Sequence, residues 1–403
     1  MKCARRLRYA APSPGCDPCR NSSQEGISYR LRSQRVPRKN SNLLRLRQAL
    51  SSIEQEHQSL ATTIGLLASS GLNHTQQMPE MCQFLKEVFN LSSCGFFWAD
   101  QAGNMQDAWC LTPEFLSFKT IMSCLEYQAS DTRAWPTFQE NVLVGAVAGY
   151  LLPFQNERFY TSTHYQATYQ SVNVRHILDV VLHDGARPFG ALLLMRSAEQ
   201  GPFTPDERSL LAKLIPLFNT AFSTPDRGDT HYSEKDMTGF ALVGRDGKYK
   251  SMSADARRII WILTHAQPGS FADPNDPSIE HHLEQIVARH AERLGLGETL
   301  SIDIDNRWGR FHLEFEQEPN TRDTIVKICR KLPLLSQLAF CLAKLNLPPM
   351  RQIVAWLLAQ NHSRNEIASL LDISVETVTS HIKLIYKATG TSSSHGLLLI
   401  LAN

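Results

Sequence analysis

The chain has 403 residues, of which 42 % are hydrophobic and 20 % charged, and its formal net charge is +2. Such a length predicts about two to four domains, and the composition is ordinary for a soluble globular protein. The longest apolar run, Val142 to Leu152, contains glycines and stops at Pro153, which argues against a membrane span. No apolar core follows the basic N-terminus, so a secretory signal is not expected, and nine scattered cysteines indicate a reducing cytoplasm.

The first segment, residues 1–45, is expected to be a basic, disordered arm. Residues 1–47 hold twelve Lys or Arg against Asp17 and Glu25, so the remaining chain carries about eight net negative charges. The arm is rich in Ser, Pro and Asn and has no sustained apolar period. It can attract DNA without sequence preference, but a solvated tail or an over-extended gene start is the simpler interpretation.

Residues 46–222 combine helical and strand patterns around one predicted antiparallel sheet. The predicted helices are Ser41–Leu67, Met81–Asn90 and a helix from Pro205, and the predicted strands are Cys94–Ala99, His176–Leu182 and Phe189–Met195. The last two strands form a hairpin across Asp184 and Gly185. Thr204 and Glu207 have the spacing of a capping box, and Pro216 should kink the helix that they begin.

This arrangement closes on the sequence FGALLL and the helix FTPDERSLLAKL, and it resembles a GAF domain. The resemblance implies a small-molecule pocket over the sheet, or a domain that serves only for dimerisation. The candidate ligand-binding residues are Phe159, Tyr160, Tyr165 and Tyr169, whose rings can line such a pocket. The alternative is that these rings pack in the core or against loops.

Residues 223–238 read as a linker because polar residues, Pro and Gly dominate STPDRGDTHYSEKD. The expected domain after it covers residues 239–330. Its predicted elements are strands Gly239–Val243 and Lys248–Lys250, a helix from Ser253 through Ile262, and alternating strands Leu300–Ile304 and Arg310–Phe315. The stretch GFALVGRDGKYKSMSADARRII resembles the opening of a PAS domain, which implies a second small-ligand fold.

No metal site, cofactor or enzymatic activity is expected. Cys16 and Cys19 lack a second ligand pair at zinc spacing, and His281, His282 and His290 lie on one predicted helix without converging ligands. The chain has no Gly-rich phosphate loop, nucleophile elbow or metal-ligand helix.

Residues 331–346 are expected to form a linker helix between the sensory part and the C-terminal part. Within Leu332 to Leu345 the apolar stripe consists of Leu335, Leu338, Ala339, Leu342 and Leu345. Such a stripe can simply pack on the sensory part, or it can pair with a second copy and carry a rotation onward.

Residues 347–403 contain two short helical patterns around a three-residue break. Ser363 and Glu366 form a capping box, an apolar stripe follows to Leu371, and Ser374 caps the next helix. Upstream, Pro348 and Pro349 open a helix for which Asn361 suits a left-handed C-cap. Two helices around a tight turn, supported by a third, predict a helix-turn-helix.

The stretch from Leu347 to Leu398 resembles the DNA-binding domain of LuxR-type transcription regulators. The residues that carry the resemblance are Leu347, Val354, Leu357-Leu358-Ala359, Ser363, Glu366-Ile367-Ala368, Ile373-Ser374, Thr377-Val378, His381, Ile385 and Gly390. It implies a four-helix module whose last helix, Ser392 to Ala402, often dimerises. The candidate DNA-binding residues are Arg364, Glu376, Thr379, Ser380, Lys383 and Lys387.

Several positions depart from the family pattern. Arg351 and Ile353 stand where the family usually has acids, and Thr379, Ala388 and Ser394 stand where it has basic residues. Because phosphate contacts supply most of the affinity that is independent of sequence, these losses should weaken DNA binding.

The fold class expected is therefore multidomain α+β, with GAF-like and PAS-like α/β sensory domains before an all-α, four-helix LuxR-type helix-turn-helix domain. The expected function is a cytoplasmic, homodimeric transcription regulator that binds an inverted repeat in double-stranded DNA and responds to a small ligand or a partner. The alternative is a degenerate helix-turn-helix protein that sequesters another regulator through protein contacts. The contact surface would be the apolar last helix, Leu397 to Leu401, although that run can also dimerise or close the module's own core. The missing basic residues keep this alternative open.

Overall fold

The protein is a mixed α/β structure built on two antiparallel sheets of five strands each. The computed structural model describes residues 41–128, 136–144, 151–154, 157–185, 187–223, 230–269, 274–294 and 298–402. All of these residues belong to one compact unit, residues 35–403.

The first sheet has the order β2-β1-β5-β4-β3. Its strands are β1 Ser93–Ala99, β2 Met105–Cys110, β3 Leu151–Phe154, β4 His176–His183 and β5 Pro188–Arg196. The hairpin of β4 and β5 follows the prediction, whereas β2 and β3 are additional edge strands. The central strand β5 is buried at every position except the half-buried Phe189, because helices cover both faces of the sheet.

Helices form a layer on each side of this sheet. They are α1 Ser41–Leu50, α2 Gln58–Ala68, α3 His74–Val88, α4 Phe118–Gln128, α5 Phe138–Val144, α6 Glu157–Tyr160, α7 Thr163–Thr168 and α8 Pro205–Ser223. The helix predicted across Ser41 to Leu67 is in fact two helices. The capping box of α8 is confirmed, since Glu207 accepts from Thr204 N at 2.8 Å and Thr204 Oγ1 accepts from Glu207 N at 3.1 Å. The helix continues through Pro216.

The expected boundary of the basic arm lies too far along the chain. Residues 41–45 already belong to α1, where Leu43 and Leu46 have no exposed surface. Packing of these two leucines outweighs the charge of Arg45 and Arg47, which point outward from the same helix. The rest of the predicted arm, residues 1–40, lies outside the described residues.

The second sheet has the order β7-β6-β10-β9-β8. Its strands are β6 Tyr232–Val243, β7 Tyr249–Met252, β8 Thr299–Asn306, β9 Gly309–Gln317 and β10 Thr324–Pro333, and its helices are α9 Ala254–Thr264 and α10 Ser278–His290. The alternation predicted in β9 is confirmed, because Phe311, Leu313 and Phe315 are buried.

Two predicted boundaries in this region are wrong. The linker predicted at 223–238 overlaps β6, whose polar first half is held by pairing with β10 from Tyr232 onward. Residues 224–229 of that linker lie outside the described residues. The linker helix predicted from residue 331 begins at Leu334, because the central strand β10 continues to Pro333.

The C-terminal helices pack together and against the first half of the chain. They are α11 Leu334–Lys344, α12 Pro349–Ala359, α13 Arg364–Leu371, α14 Val375–Thr389 and α15 Ser394–Ala402. Gln352 on α12 donates to Ser59 Oγ on α2 at 3.0 Å, and Arg47 on α1 donates to the Leu371 carbonyl at 2.5 Å. This helical part is therefore docked on α1 and α2.

A mostly buried polar and aromatic contact joins the two sheets. Arg330 on β10 donates to Glu80 on α3 at 2.9 Å and to the Trp308 carbonyl at 3.1 Å, and both charged side chains are buried. Beside this pair, Arg307 binds the carboxylate of Asp107 on β2. The ring of Trp308 lies 4.9 Å from that of Trp109, between centroids.

We expect Arg330→Ala to lower the free energy of unfolding by about 3–5 kcal/mol, because it leaves the Glu80 carboxylate buried without its partner. Chemical denaturation measures this loss. Arg310→Ala is the matched control, since its pair with Asp305 is largely exposed, and it should cost less than about 1 kcal/mol. The double variant Glu80→Leu, Arg330→Met should recover part of the loss, and equal costs for Arg330→Ala and Arg310→Ala would contradict the assignment.

Candidate functional site: a cavity over the first sheet and the exposed face of helix α14

A cavity of about 120 Å³ lies between one face of the first sheet and the helices α4 to α7. The sheet contributes Phe97, Met105, Asp179, Ala191 and Leu193 to its walls. The opposite wall is mainly aromatic and polar, and its side chains include Phe115, Thr120, Cys124, Phe138, Asn141, Phe159, His164 and Tyr169. The opposite face of the sheet packs on α3 and α8, so the cavity and the main core lie on different sides of the same strands.

One carboxyl group stands out in this cavity. Asp179 lies in the middle of β4, is 8 % exposed, and has no hydrogen-bond partner for Oδ1 among the described residues. Burial raises its pKa to about 8, because the charged form loses its hydration. The sequence signal was available, since Asp179 is the only acid in the strand HILDVVLH, but we did not predict a role for it.

The other titratable groups of the cavity are held neutral near pH 7. Burial lowers the pKa of His164 to about 4 and raises that of Cys124 to about 12. Burial also raises the pKa of Tyr169 well above its usual range. Asp179 is therefore the group in this set whose charge changes near physiological pH.

The four aromatic residues predicted to bind a ligand divide into two pairs. Phe159 and Tyr169 line the cavity. Tyr165 and Tyr160 are not among its lining residues, because Tyr165 directs its hydroxyl to the Val174 carbonyl at 2.9 Å and Tyr160 stacks under the guanidinium of Arg175, 3.5 Å from its ring centroid. Their part in ligand binding stays a prediction.

The second candidate site is the outward face of α14. Glu376, Ser380, Lys383 and Lys387 are exposed there at spacings of three and four residues, so they share one face of the helix. On the inward face Val378, Ile382 and Ile385 are buried against the neighbouring helices. The helical spacing in the sequence predicted this separation of α14 into an exposed polar face and a buried apolar face.

The turn before α14 sets the direction of this helix. Ser363 and Glu366 form the predicted capping box of α13, and Ser374 Oγ accepts from Thr377 N at 3.2 Å. Between the helices Asp372 adopts a left-handed conformation with φ 53°. An aspartate tolerates that conformation better than most residues, which allows the chain to turn within three residues.

The remaining predicted DNA-binding residues lie beside this face. Arg364 is exposed at the start of α13. Thr379 is half-buried, and its hydroxyl donates to the Val375 carbonyl at 2.9 Å. Sequence reasoning missed Arg47, which α1 brings to the turn at Leu371.

The departures from the LuxR pattern have distinct environments. Ile353 is fully buried within α12, where an acid would lose its hydration. Arg351 lies near His381, whose pKa is lowered by burial and by this guanidinium. Ala388 is exposed and Ser394 half-buried, so neither position adds positive charge.

The described ranges contain no group of three or more His, Cys, Asp or Glu side chains arranged to hold a metal ion. His281 and His282 are exposed on α10, as predicted. No helix in the described part of the chain combines the length and apolar character needed to cross a membrane.

Asp179→Asn should stabilise the protein increasingly as pH rises from about 4 to 8. The raised pKa means that the native state of the wild type keeps a proton which the unfolded state releases near pH 4, so native stability is lost as pH rises through this window. The difference between variant and wild type should be small at pH 4, should grow by about 1.4 kcal/mol for each pH unit above it, and should level off near pH 8 at several kcal/mol. Urea unfolding at each pH measures it, and a pH-independent difference would contradict burial as the cause.

Comparison with known proteins gives no family for this chain. No protein-family model matches it, and no curated protein matches it.

Some solved structures resemble parts of the chain. A phage VqmA-DPO complex is 15 % identical with TM-score 0.18, and the match covers 42 % of this chain and 84 % of the VqmA chain. The ligand-binding domain of Mlp24 with asparagine is 14 % identical with TM-score 0.16 and covers 75 % of this chain and 97 % of that chain. An extracellular ligand-binding receptor from Desulfohalobium retbaense is 10 % identical with TM-score 0.16 and covers 72 % of this chain and 40 % of that chain. At these TM-scores the matches carry no argument about fold or function.

Proposed function

We propose that this chain is a non-enzymatic, cytoplasmic transcription regulator of LuxR type that binds double-stranded DNA as a homodimer and is modulated through its N-terminal sensory part. The observation that carries the proposal is the exposed face of α14, which directs Ser380, Lys383 and Lys387 outward behind a three-residue turn. A helix presented in this way fits a major groove, and a dimer reads two half-sites of an inverted repeat.

The charge on this surface suits a contact with the DNA backbone. Lys383 and Lys387 are exposed one turn apart, and Arg364 is exposed at the start of α13. Each cation that neutralises a phosphate releases a counterion, so the affinity falls as the salt concentration rises. Glu376 and Ser380 on the same face can reach base edges, whereas Thr379 must first give up its hydrogen bond to Val375.

We assign the sensory role to the GAF-like part, residues 46–222, which the PAS-like part, residues 239–330, follows in the chain. A cavity of about 120 Å³ with apolar walls and a few polar groups has the character of a small-molecule site. Arg47 on α1 contacts Leu371, and Ser59 on α2 contacts Gln352, so the GAF-like part is in direct contact with the C-terminal helices. A ligand that shifts α1 or α2 would shift the module on which they dock.

A second candidate function has one observation in its favour. Leu399 and Ile400 on α15 are 45 % and 46 % exposed, and Leu384 on α14 is 39 % exposed. These side chains suit a protein interface, either a homodimer or the sequestration of another regulator. The second candidate predicts that the lysines of α14, Lys383 and Lys387, are dispensable for activity.

The decisive experiment is selection of bound fragments from sheared DNA of the protein's own genome, with purified full-length protein at two salt concentrations. We expect a shared inverted repeat to be enriched. Lys383→Ala should weaken binding and reduce the slope of log affinity against log salt by about one, because one phosphate contact is lost.

Lys344→Ala is the matched control, since it removes one exposed lysine from α11 and leaves α14 intact. It should retain the enrichment and the salt dependence of the wild type. Failure of the wild type to enrich any sequence, or equal losses in both lysine variants, would overturn DNA reading and favour the protein-contact alternative.

A further inference from the structure

The cavity over the first sheet contains an acid, Asp179, whose Oδ1 has no hydrogen-bond partner among the residues that the structure describes. Among the described residues the other buried acids are paired. Glu80 binds Arg330, Asp107 binds Arg307, and Asp323 binds Lys250 at 2.7 Å. Asp179 is buried to a similar degree and lines the cavity, yet its Oδ1 has no partner within the described part of the chain.

An unpaired buried carboxyl is costly, so its presence inside a cavity points to a partner that arrives from outside. Taking a carboxylate out of water without a compensating charge or donor opposes folding. A packed hydrophobic residue would avoid that cost in a strand whose neighbours on the same face are Ile177 and Val181. Positions that break the local rules of stability are often the functional ones.

The size and the walls of the cavity limit what this partner can be. A cavity on the order of 150 Å³ with apolar walls admits one benzene ring, so about 120 Å³ holds at most a single small ring. Phe97, Phe115, Phe138, Phe159 and Tyr169 supply aromatic surfaces around it. Flat rings pack favourably on such surfaces in stacked or edge-to-face contacts.

The charge of the site selects among single-ring molecules. His164 and Cys124 are neutral near pH 7, so they neither compensate the Asp179 carboxylate nor repel a cation. The raised pKa keeps Asp179 itself largely protonated near pH 7. A protonated amine favours ionisation of this carboxyl, with release of its proton to solvent, whereas a carboxylate ligand opposes ionisation and a hydroxyl leaves the charge uncompensated. A protonated amine supplies both the opposite charge and a hydrogen-bond donor.

We propose that this cavity binds a small single-ring molecule that carries a protonated amine, with the amine donating to Asp179 and the ring held by the aromatic walls. The inference rests on the proposed function, in which such a molecule is the effector of the regulator. Asp179 is a ligand-binding residue in this proposal, and Asn141 and Thr120 lie in the same cavity as additional polar contacts.

The test is titration calorimetry of full-length protein at pH 8.5, where the Asp179 carboxyl is mainly ionised and benzylamine is still protonated, with three probes of matched shape: benzylamine, benzyl alcohol and benzoate. Wild type should bind benzylamine roughly tenfold or more tightly than benzyl alcohol, the size expected of a hydrogen bond between charged groups, and benzoate least. In Asp179→Asn the preference for the amine should fall to about twofold or less, while benzyl alcohol still binds. The cavity volume is unchanged in this variant because the two side chains have nearly the same shape.

Glu126→Gln is the matched control, because it removes an exposed acid from α4, the helix that contributes Cys124 to the cavity. It should keep the wild-type preference, which separates contact with Asp179 from the general effect of net charge. The proposal is overturned if wild type does not prefer benzylamine, if it binds none of the probes, or if the preference survives in Asp179→Asn.

The same preparations separate this proposal from that of a DNA-reading regulator. Probe binding is measured without DNA, and DNA enrichment is measured without a probe. If wild type enriches DNA but does not prefer the amine, only the proposed ligand class is overturned. If wild type prefers the amine but enriches no DNA, only the proposed regulator function is overturned. If both proposals hold, benzylamine should change the DNA affinity of wild type and not that of Asp179→Asn.

Discussion

The buried contact between the two sheets is the constraint on which the arrangement of the described chain depends. Glu80 and Asp107 belong to the first half, Arg330 and Arg307 to the second, and the rings of Trp109 and Trp308 pack between them. Charges in such a place fix one relative position, because a displaced sheet would leave each ion without its partner in a dry environment.

This fixed contact lies close to the cavity. Met105 lines the cavity on β2, and Asp107, two residues further along the same strand, binds Arg307. A ligand that moves β2 therefore acts on the joint between the sheets as well as on its own pocket. The helical part is coupled separately, through α1 and α2, so the first half touches both of the other parts of the chain.

Much of the fold could be predicted from residues that are close together in the sequence. The prediction failed where an element is stabilised by a partner far away in the chain. The capping boxes at Ser363 and Thr204 depend on residues three apart, and the sequence contains all of the information that they need. The strand β10 and the polar start of β6 stabilise each other across about ninety residues, so neither is recognisable alone. The polar start of β6 was predicted as a linker because its pairing with β10 cannot be recognised in the local sequence.

The candidate sites divide in the same way. Lys383 and Lys387 follow from the period of one helix, which a sequence reveals directly. Asp179 gains its importance only from the helices that cover β4, because an acid in an exposed strand would be unremarkable. Tyr160 and Tyr165 were plausible by type, but their side chains turn to Arg175 and to the Val174 carbonyl.

The hydrogen bond from Arg47 to the Leu371 carbonyl also concerns the order in which the protein is made. Its two residues are 324 positions apart, so synthesis at about 5–20 residues per second separates them by roughly 15 to 65 seconds. During that interval α1 can pack on α2 and α8, but the surface that later receives α13 stays uncovered. This surface of α1 is therefore exposed until α13, which is synthesised later, covers it.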